Sequence, residues 1–238
     1  MKQWVQILLP VVLFATIVFF CVFALTGYEA VQTAAQPSAR TCIVIDPGHG
    51  GEDGGAVGVS GTSEAALNLE ISLRLRDALH LLGIRTHMVR QTDTAIYSDG
   101  CESIAEKKVS DIKNRVKLVN DTPNALLVSV HQNFFPEGQY HGAQVFYAQT
   151  PGSQQLAEQL QAALCTQLDP DNRRQCKASQ RVYLMQQLET TGVLVECGFL
   201  SNYDEEQRLT QPDYQKKLAT VLAGTLSVWL AEEHTNEI

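Results

Sequence analysis

Positive charge is in short supply: the 238-residue chain carries 18 Lys and Arg against 26 Asp and Glu, a net charge of −8. A protein that grips a phosphate backbone needs a basic stripe to displace counterions, so nucleic acid is excluded as a partner. Six cysteines are present but no CxxC pair, which leaves no scaffold for a structural zinc knot. Neither GxxxxGK(S/T) nor GxGxxG occurs, so the glycine-rich turns carry no nucleotide signature. Internal repeats and low-complexity blocks are missing as well. Charged residues make up only 18% and hydrophobic ones 45%, a balance that fits neither a disordered polyampholyte nor a multi-span membrane protein. The length suits one well-filled core.

What is there begins with an apolar run, Trp4 to Leu25, free of charge and interrupted only by Gln6, Pro10 and Thr16. A secretory signal has a hydrophobic region of roughly 7 to 15 residues, whereas about 20 are needed to cross the hydrocarbon as a helix. Residues 1–27 are therefore expected to form an N-terminal transmembrane segment, an uncleaved anchor in preference to a cleaved signal. Lys2 is the only cation before Arg40, which places the N-terminus in the cytoplasm and the rest of the chain outside. Residues 28–40, rich in Ala, Gln, Thr and Ser, read as a linker. A single catalytic domain is expected over 41–233, with a tail at 234–238. Cys165 and Cys176 flank the polar stretch Thr166 to Gln175, and an extracytoplasmic setting would permit a disulfide closing that loop.

Strand-like runs at Cys42–Ile45, Thr86–Val89, Leu126–Val130, Ala143–Tyr147 and Val193–Val195 alternate with helical spacing. The helical patterns are Leu67, Ile71, Leu75, Leu79 and Leu82; Ile112, Val116 and Val119; Leu156, Leu160 and Leu164; and Gln211 to Glu232. The alternation predicts an α/β fold, a mostly parallel twisted sheet flanked by helices on both faces.

In such a sheet, functional groups gather beyond the carboxyl ends of the strands. Three strings qualify: Asp46-Pro47-Gly48-His49-Gly50-Gly51, Ser129-Val130-His131-Gln132-Asn133 and Glu196-Cys197-Gly198-Phe199. Two histidines and a carboxylate would converge there, a set that suits a mononuclear metal. A catalytic zinc takes three protein ligands and leaves a fourth position for water. His49 and His131 supply two. The third is sought among Glu52, Asp53, Glu64 and Glu70, with Glu64 favoured because it opens the first helix on the same edge. Glu196 remains as proton carrier, its pKa raised by apolar Val195 and Phe199. Each residue also has a plainer role open to it. The glycines suit any tight turn, a lone His131 suits a satisfied core histidine, and Glu196 suits a buried ion pair. Thr190 to Phe199, however, contains no cation to pair with Glu196. His80, His87, His141 and His234 have no comparable context.

The string Ile45 to Gly51, followed by Asp53, Gly55, Gly58, Gly61 and Glu64, resembles the opening motif of the zinc-dependent N-acetylmuramoyl-L-alanine amidases, the type-3 amidase family. Later pieces follow in order: Arg115 with Asn120 resembles its R-x(4)-N stretch, Ser129 to Asn133 its S-x-H-x-N motif, and Val195 to Asn202 its V-E-x-G-F-x-S-N motif. The resemblance covers roughly Thr41 to Trp229. It implies His49, Glu64 and His131 as ligands of Zn²⁺ and Glu196 as catalytic acid/base, in agreement with the strand-end assignment. Cys197 and the Ser63 before Glu64 depart from common family choices without removing a ligand. The segments Gly142 to Tyr147 and Arg181 to Met185 look most like the short, membrane-anchored, germination-specific members of the CwlD type.

The activity so implied is hydrolysis of the amide between N-acetylmuramic acid and L-alanine in peptidoglycan, with a role in spore cortex maturation. A related zinc peptidase and a catalytically inactive wall-binding module are the alternatives. The expected location is the cell membrane, with the catalytic domain extracytoplasmic. No wall-binding repeat is visible, so targeting is expected from the anchor, the groove or an accessory protein.

Overall fold

A computed structural model describes residues 41–236. The anchor and linker expected at 1–40 lie outside the described residues; among these, no helix is long and apolar enough to cross a membrane.

Six strands form one sheet: β1 (Cys42–Pro47), β2 (Thr86–Met88), β3 (Ala125–Asn133), β4 (Gln144–Tyr147), β5 (Lys177–Ala178) and β6 (Gly192–Phe199), in the order β2-β1-β3-β6-β4-β5. β2, β1, β3 and β6 run parallel, whereas β4 is antiparallel to β6. The reversal follows from the connection. Parallel neighbours need a long crossover, usually through a helix, and residues 134–143 between β3 and β4 contain none.

The helices are α1 (Glu64–Leu81), α2 (Ile104–Asp121), α3 (Ser153–Gln167), α4 (Tyr183–Gln186), α5 (Tyr203–Leu209) and α6 (Pro212–Asn236). The short β5, α4 and α5 have no counterpart among the expected elements. α6 continues through Asn236, past the expected domain end at 233.

Strand side chains alternate between faces, and this sorts the core into two layers. Ile43, Ile45, Leu126, Val128, Val130, Val193 and Val195 pack with Ile71, Leu75 and Leu79 of α1, with Leu156, Leu160 and Leu164 of α3, and with Leu218, Leu222 and Leu226 of α6. On the opposite face Val44, Leu127 and Leu194 form a smaller cluster with Val89, Val119 of α2, and Leu184, Met185 and Leu188 in and after the single turn of α4, with Ile112 and Val116 of α2 partly buried against it. α2 buries just Arg115 and Val119. Its first turn is closed by a capping box, Glu106 N donating to Ser103 Oγ (3.2 Å) and Ser103 N to Glu106 Oε2 (3.0 Å).

Cys165 and Cys176 are free thiols, so the structure does not support the loop-closing disulfide. Cys165 Sγ faces Gln161 Nε2 (3.4 Å) and the Arg174 carbonyl (3.9 Å), while Cys176 packs against the larger core.

Candidate metal centre

The thinly covered face carries the chemistry. Asp46, Ser129, His131 and Glu196 share the parity of Val44, Leu127 and Leu194, so all belong to that face. Both β3 and β6 run further than their apolar runs suggest, and His131 and Glu196 therefore lie within strands, not in the loops beyond them. They are direct partners in the parallel register. The ladder is irregular between His131 and Asn133, just past this pair.

His49 arrives from the turn after β1, in the left-handed region at φ 62°, a conformation uncommon for any residue but glycine. The turn is pinned by paired bonds between Gly50 and Asp53 (2.8 and 3.2 Å) and by Arg115 Nη2 donating to the His49 carbonyl (2.8 Å). Two glycines make room for the ligands. A Cβ on Gly48 would stand 2.2 Å from the His131 ring, and one on Gly55 would stand 2.6 Å from Glu64 Oε2.

Glu64 lies between the histidines. Its Oε1 is 3.3 Å from His49 Nε2 and 3.1 Å from His131 Nδ1. Oε2 accepts from Ala56 N (2.8 Å), and Oε1 also accepts from Gln132 N (3.1 Å). One potential ligand atom from each of the three residues falls within 4.8 Å of the others. Burial works against the charge on Glu64, yet hydrogen bonds from the two imidazoles hold its pKa far below the carboxylate range. For His49, burial would lower the pKa, but bonds to Glu64 and Asp53 outweigh it and raise the value to about 9. Two imidazoles and one carboxylate form a fitting donor set for a divalent ion with an open coordination position.

The other carboxylates weighed as third ligand have different work. Asp53 Oδ2 bonds His49 Nδ1 (2.9 Å), and its Oδ1 pairs with Lys108 (2.8 Å), which fixes the ring with Nε2 toward Glu64. Glu52 pairs with Lys107 (2.7 Å), and Glu70 accepts from Gln215 (2.9 Å).

Among the described residues, Glu196 has no cation partner. Its Oε2 is buried without a hydrogen bond, and burial raises its pKa to about 7; the histidines oppose the rise and Glu64 adds to it. An unsatisfied buried carboxyl is costly, and such groups collect where function requires them.

Sequence reasoning missed the support beneath the turn. Arg115 Nη1 reaches Asp46 Oδ1 (2.5 Å) and the Pro47 carbonyl (2.9 Å), and Nε reaches Asp111 (2.6 Å). Arg90, after β2, donates to the carbonyls of Pro47 (2.9 Å), Gly48 (3.0 Å) and Ala65 (2.8 Å). Arg115 stood in a recognised motif, whereas Arg90 gave no signal. Asn120, the other motif residue, lies away from the metal centre: its side chain donates to the Gln187 carbonyl (2.9 Å) and accepts from Glu189 N (3.2 Å).

Comparison with known proteins points one way. A family profile described as N-acetylmuramoyl-L-alanine amidase matches residues 43–227. The germination-specific N-acetylmuramoyl-L-alanine amidase of Bacillus subtilis is 34% identical, over 92% of this chain and 90% of its own. Among solved structures, the CwlD amidase of Clostridioides difficile, determined in complex with the GerS lipoprotein, superposes with a TM-score of 0.78. It is 33% identical and the match covers 81% of this chain and 99% of that one. An N-acetylmuramoyl-L-alanine amidase of Clostridium difficile 630 follows at 0.70 and 27% identity, over 81% and 98%.

Proposed function

Because this chain belongs to the N-acetylmuramoyl-L-alanine amidase family, we propose that His49, Glu64 and His131 hold zinc and that Glu196 moves the proton in cleavage of the muramoyl–L-alanine amide. The carrying observation is the three-ligand cluster with an unpaired, buried carboxyl on the neighbouring strand. Zinc, when bound, supplies Lewis acidity that polarises a carbonyl and acidifies water.

The chain's own residues do the rest. Asp53 and Lys108 orient His49, while Arg115 and Arg90 hold the turn carbonyls so that the ligands are preorganised. Glu196, with a pKa near 7, accepts a proton from the attacking water and returns it to the nitrogen leaving with L-alanine. The two proton transfers need one group that is stable in both forms near neutral pH, and the burial of Glu196 Oε2 provides it.

The kinship with the germination-specific enzyme supports a role in spore cortex, and the lipoprotein complex of the Clostridioides difficile relative supports an accessory partner. The Trp4–Leu25 run and lone Lys2 support membrane anchoring with the catalytic domain outside the cytoplasm. Incubation of the protein with peptidoglycan, followed by mass spectrometry, is expected to show new L-alanine amino termini. New termini elsewhere in the stem would indicate the peptidase alternative, and none would indicate a binding module. Membrane fractionation of cells expressing the full chain and a version without residues 1–27 tests the anchor.

A further inference from the structure

Beside Glu196 the thin face opens into a cavity of about 500 Å³, floored by Phe146 and Leu194 and walled by Lys177 and Arg181. Its chemistry departs from the rest of the chain. In a protein of net charge −8, residues 172–188 contain Arg173, Arg174, Lys177 and Arg181 and no Asp or Glu. Arg174 is engaged: it lies over the Phe199 ring (4.3 Å) and donates to the His141 carbonyl (2.7 Å). Among the described residues, the side chains of Lys177 and Arg181 have no hydrogen-bond or ion-pair partner. The only acidic group on the cavity wall is Glu196 itself, and the charges that act on it come from the metal centre.

Two exposed, unpaired cations aimed at one cavity require an anion for complementarity. The substrate offers it on one side only. Once the muramoyl carboxyl is bound in the amide it has no charge, and the glycan backbone is neutral, whereas the peptide arm carries free carboxylates. We propose that Lys177 and Arg181 form a carboxylate-binding subsite for the peptide arm, so that the leaving peptide lies over β4 and β5 and the glycan lies on the other side of the metal centre. The assignment rests on the amidase reading and deepens it.

The probes are muropeptides with free stem carboxylates and the same muropeptides after carbodiimide amidation. For the wild type, KM for the acidic form is expected to be roughly three- to ten-fold below that for the amidated form, with similar kcat. In the Lys177→Gln/Arg181→Gln double variant the two KM values should converge, with kcat and thermal midpoint preserved because both side chains are exposed. The wild-type KM for the acidic form should also rise with added salt, and that of the variant should not. Equal KM values in the wild type, or a gap that survives in the double variant, would overturn the subsite and leave the amidase reading standing. A wild type that cleaves neither form, nor intact peptidoglycan, would defeat the amidase reading and the subsite with it.

Discussion

The two faces of the sheet divide the labour of the molecule. One is covered by three long helices, α1, α3 and α6, and is apolar almost throughout. The other has α2, which buries little, and one turn of α4; there Asp46, Ser129, His131 and Glu196 replace aliphatic side chains near the strand ends. The thick layer provides the hydrophobic stabilisation, at about 25 cal/mol per Å² of apolar surface buried. That leaves the thin layer free to keep a buried carboxyl without a partner and a histidine at positive φ. Stability and chemistry should accordingly respond to different substitutions.

The largest expected separation is at Glu196. Glu196→Gln should lower kcat by about 10²- to 10⁴-fold while zinc content by elemental analysis and the urea midpoint stay at or above wild type. Undiminished turnover would remove Glu196 from the mechanism. The opposite pattern is expected on the thick face: Leu160→Ala, deep between α3 and the sheet, should cost about 2–5 kcal/mol in urea unfolding and leave kcat at 25 °C unchanged. If turnover falls in parallel with stability, the two faces are not independent.

His131→Ala links the two, since it should abolish metal uptake and activity together; full zinc content in that variant would exclude it as a ligand. A smaller effect is expected from acid. Burial pushes the pKa of Asp46 upward, but the Arg115 guanidinium and the Ser129 hydroxyl outweigh it and hold the folded-state value low. The unfolded chain titrates this group near pH 3.9. The stabilisation is therefore present above about pH 4 and is lost as pH falls through the lower folded value. Below about pH 4 the urea midpoints of wild type and Asp46→Asn should converge, and a gap that stays constant with pH would show that Asp46 acts only by packing.

Much of this was legible in the sequence. β1, β3 and β6 are runs of β-branched and aliphatic residues, and the long helices show a clear apolar period. The short β5 and α4 are below the length at which periodicity carries information. The direction of β4 leaves no mark in composition; it follows from a connection that has no helix. At the site, His49 and His131 stood out because they end strand-like runs, and Glu196 because no cation accompanies it. Glu64 could not be separated by residue type from Glu52, Asp53 and Glu70; its place at the start of the first helix favoured it, and the motif agreed. Arg90 was not legible at all. An arginine after a short strand usually faces solvent, and only the fold turns this one inward onto three carbonyls. The proposed thiol pair is likewise absent: Cys165 and Cys176 are free, and closeness in sequence does not supply the geometry that a disulfide requires.

The register that sets His131 against Glu196 has an engineering consequence. The two backbones are held apart by the interstrand repeat, about 4.8 Å, a constant of the polypeptide that no loop can stretch. The same rung can therefore serve as a fixed ruler when surrounding loops are grafted or exchanged to redirect the enzyme to a new wall polymer.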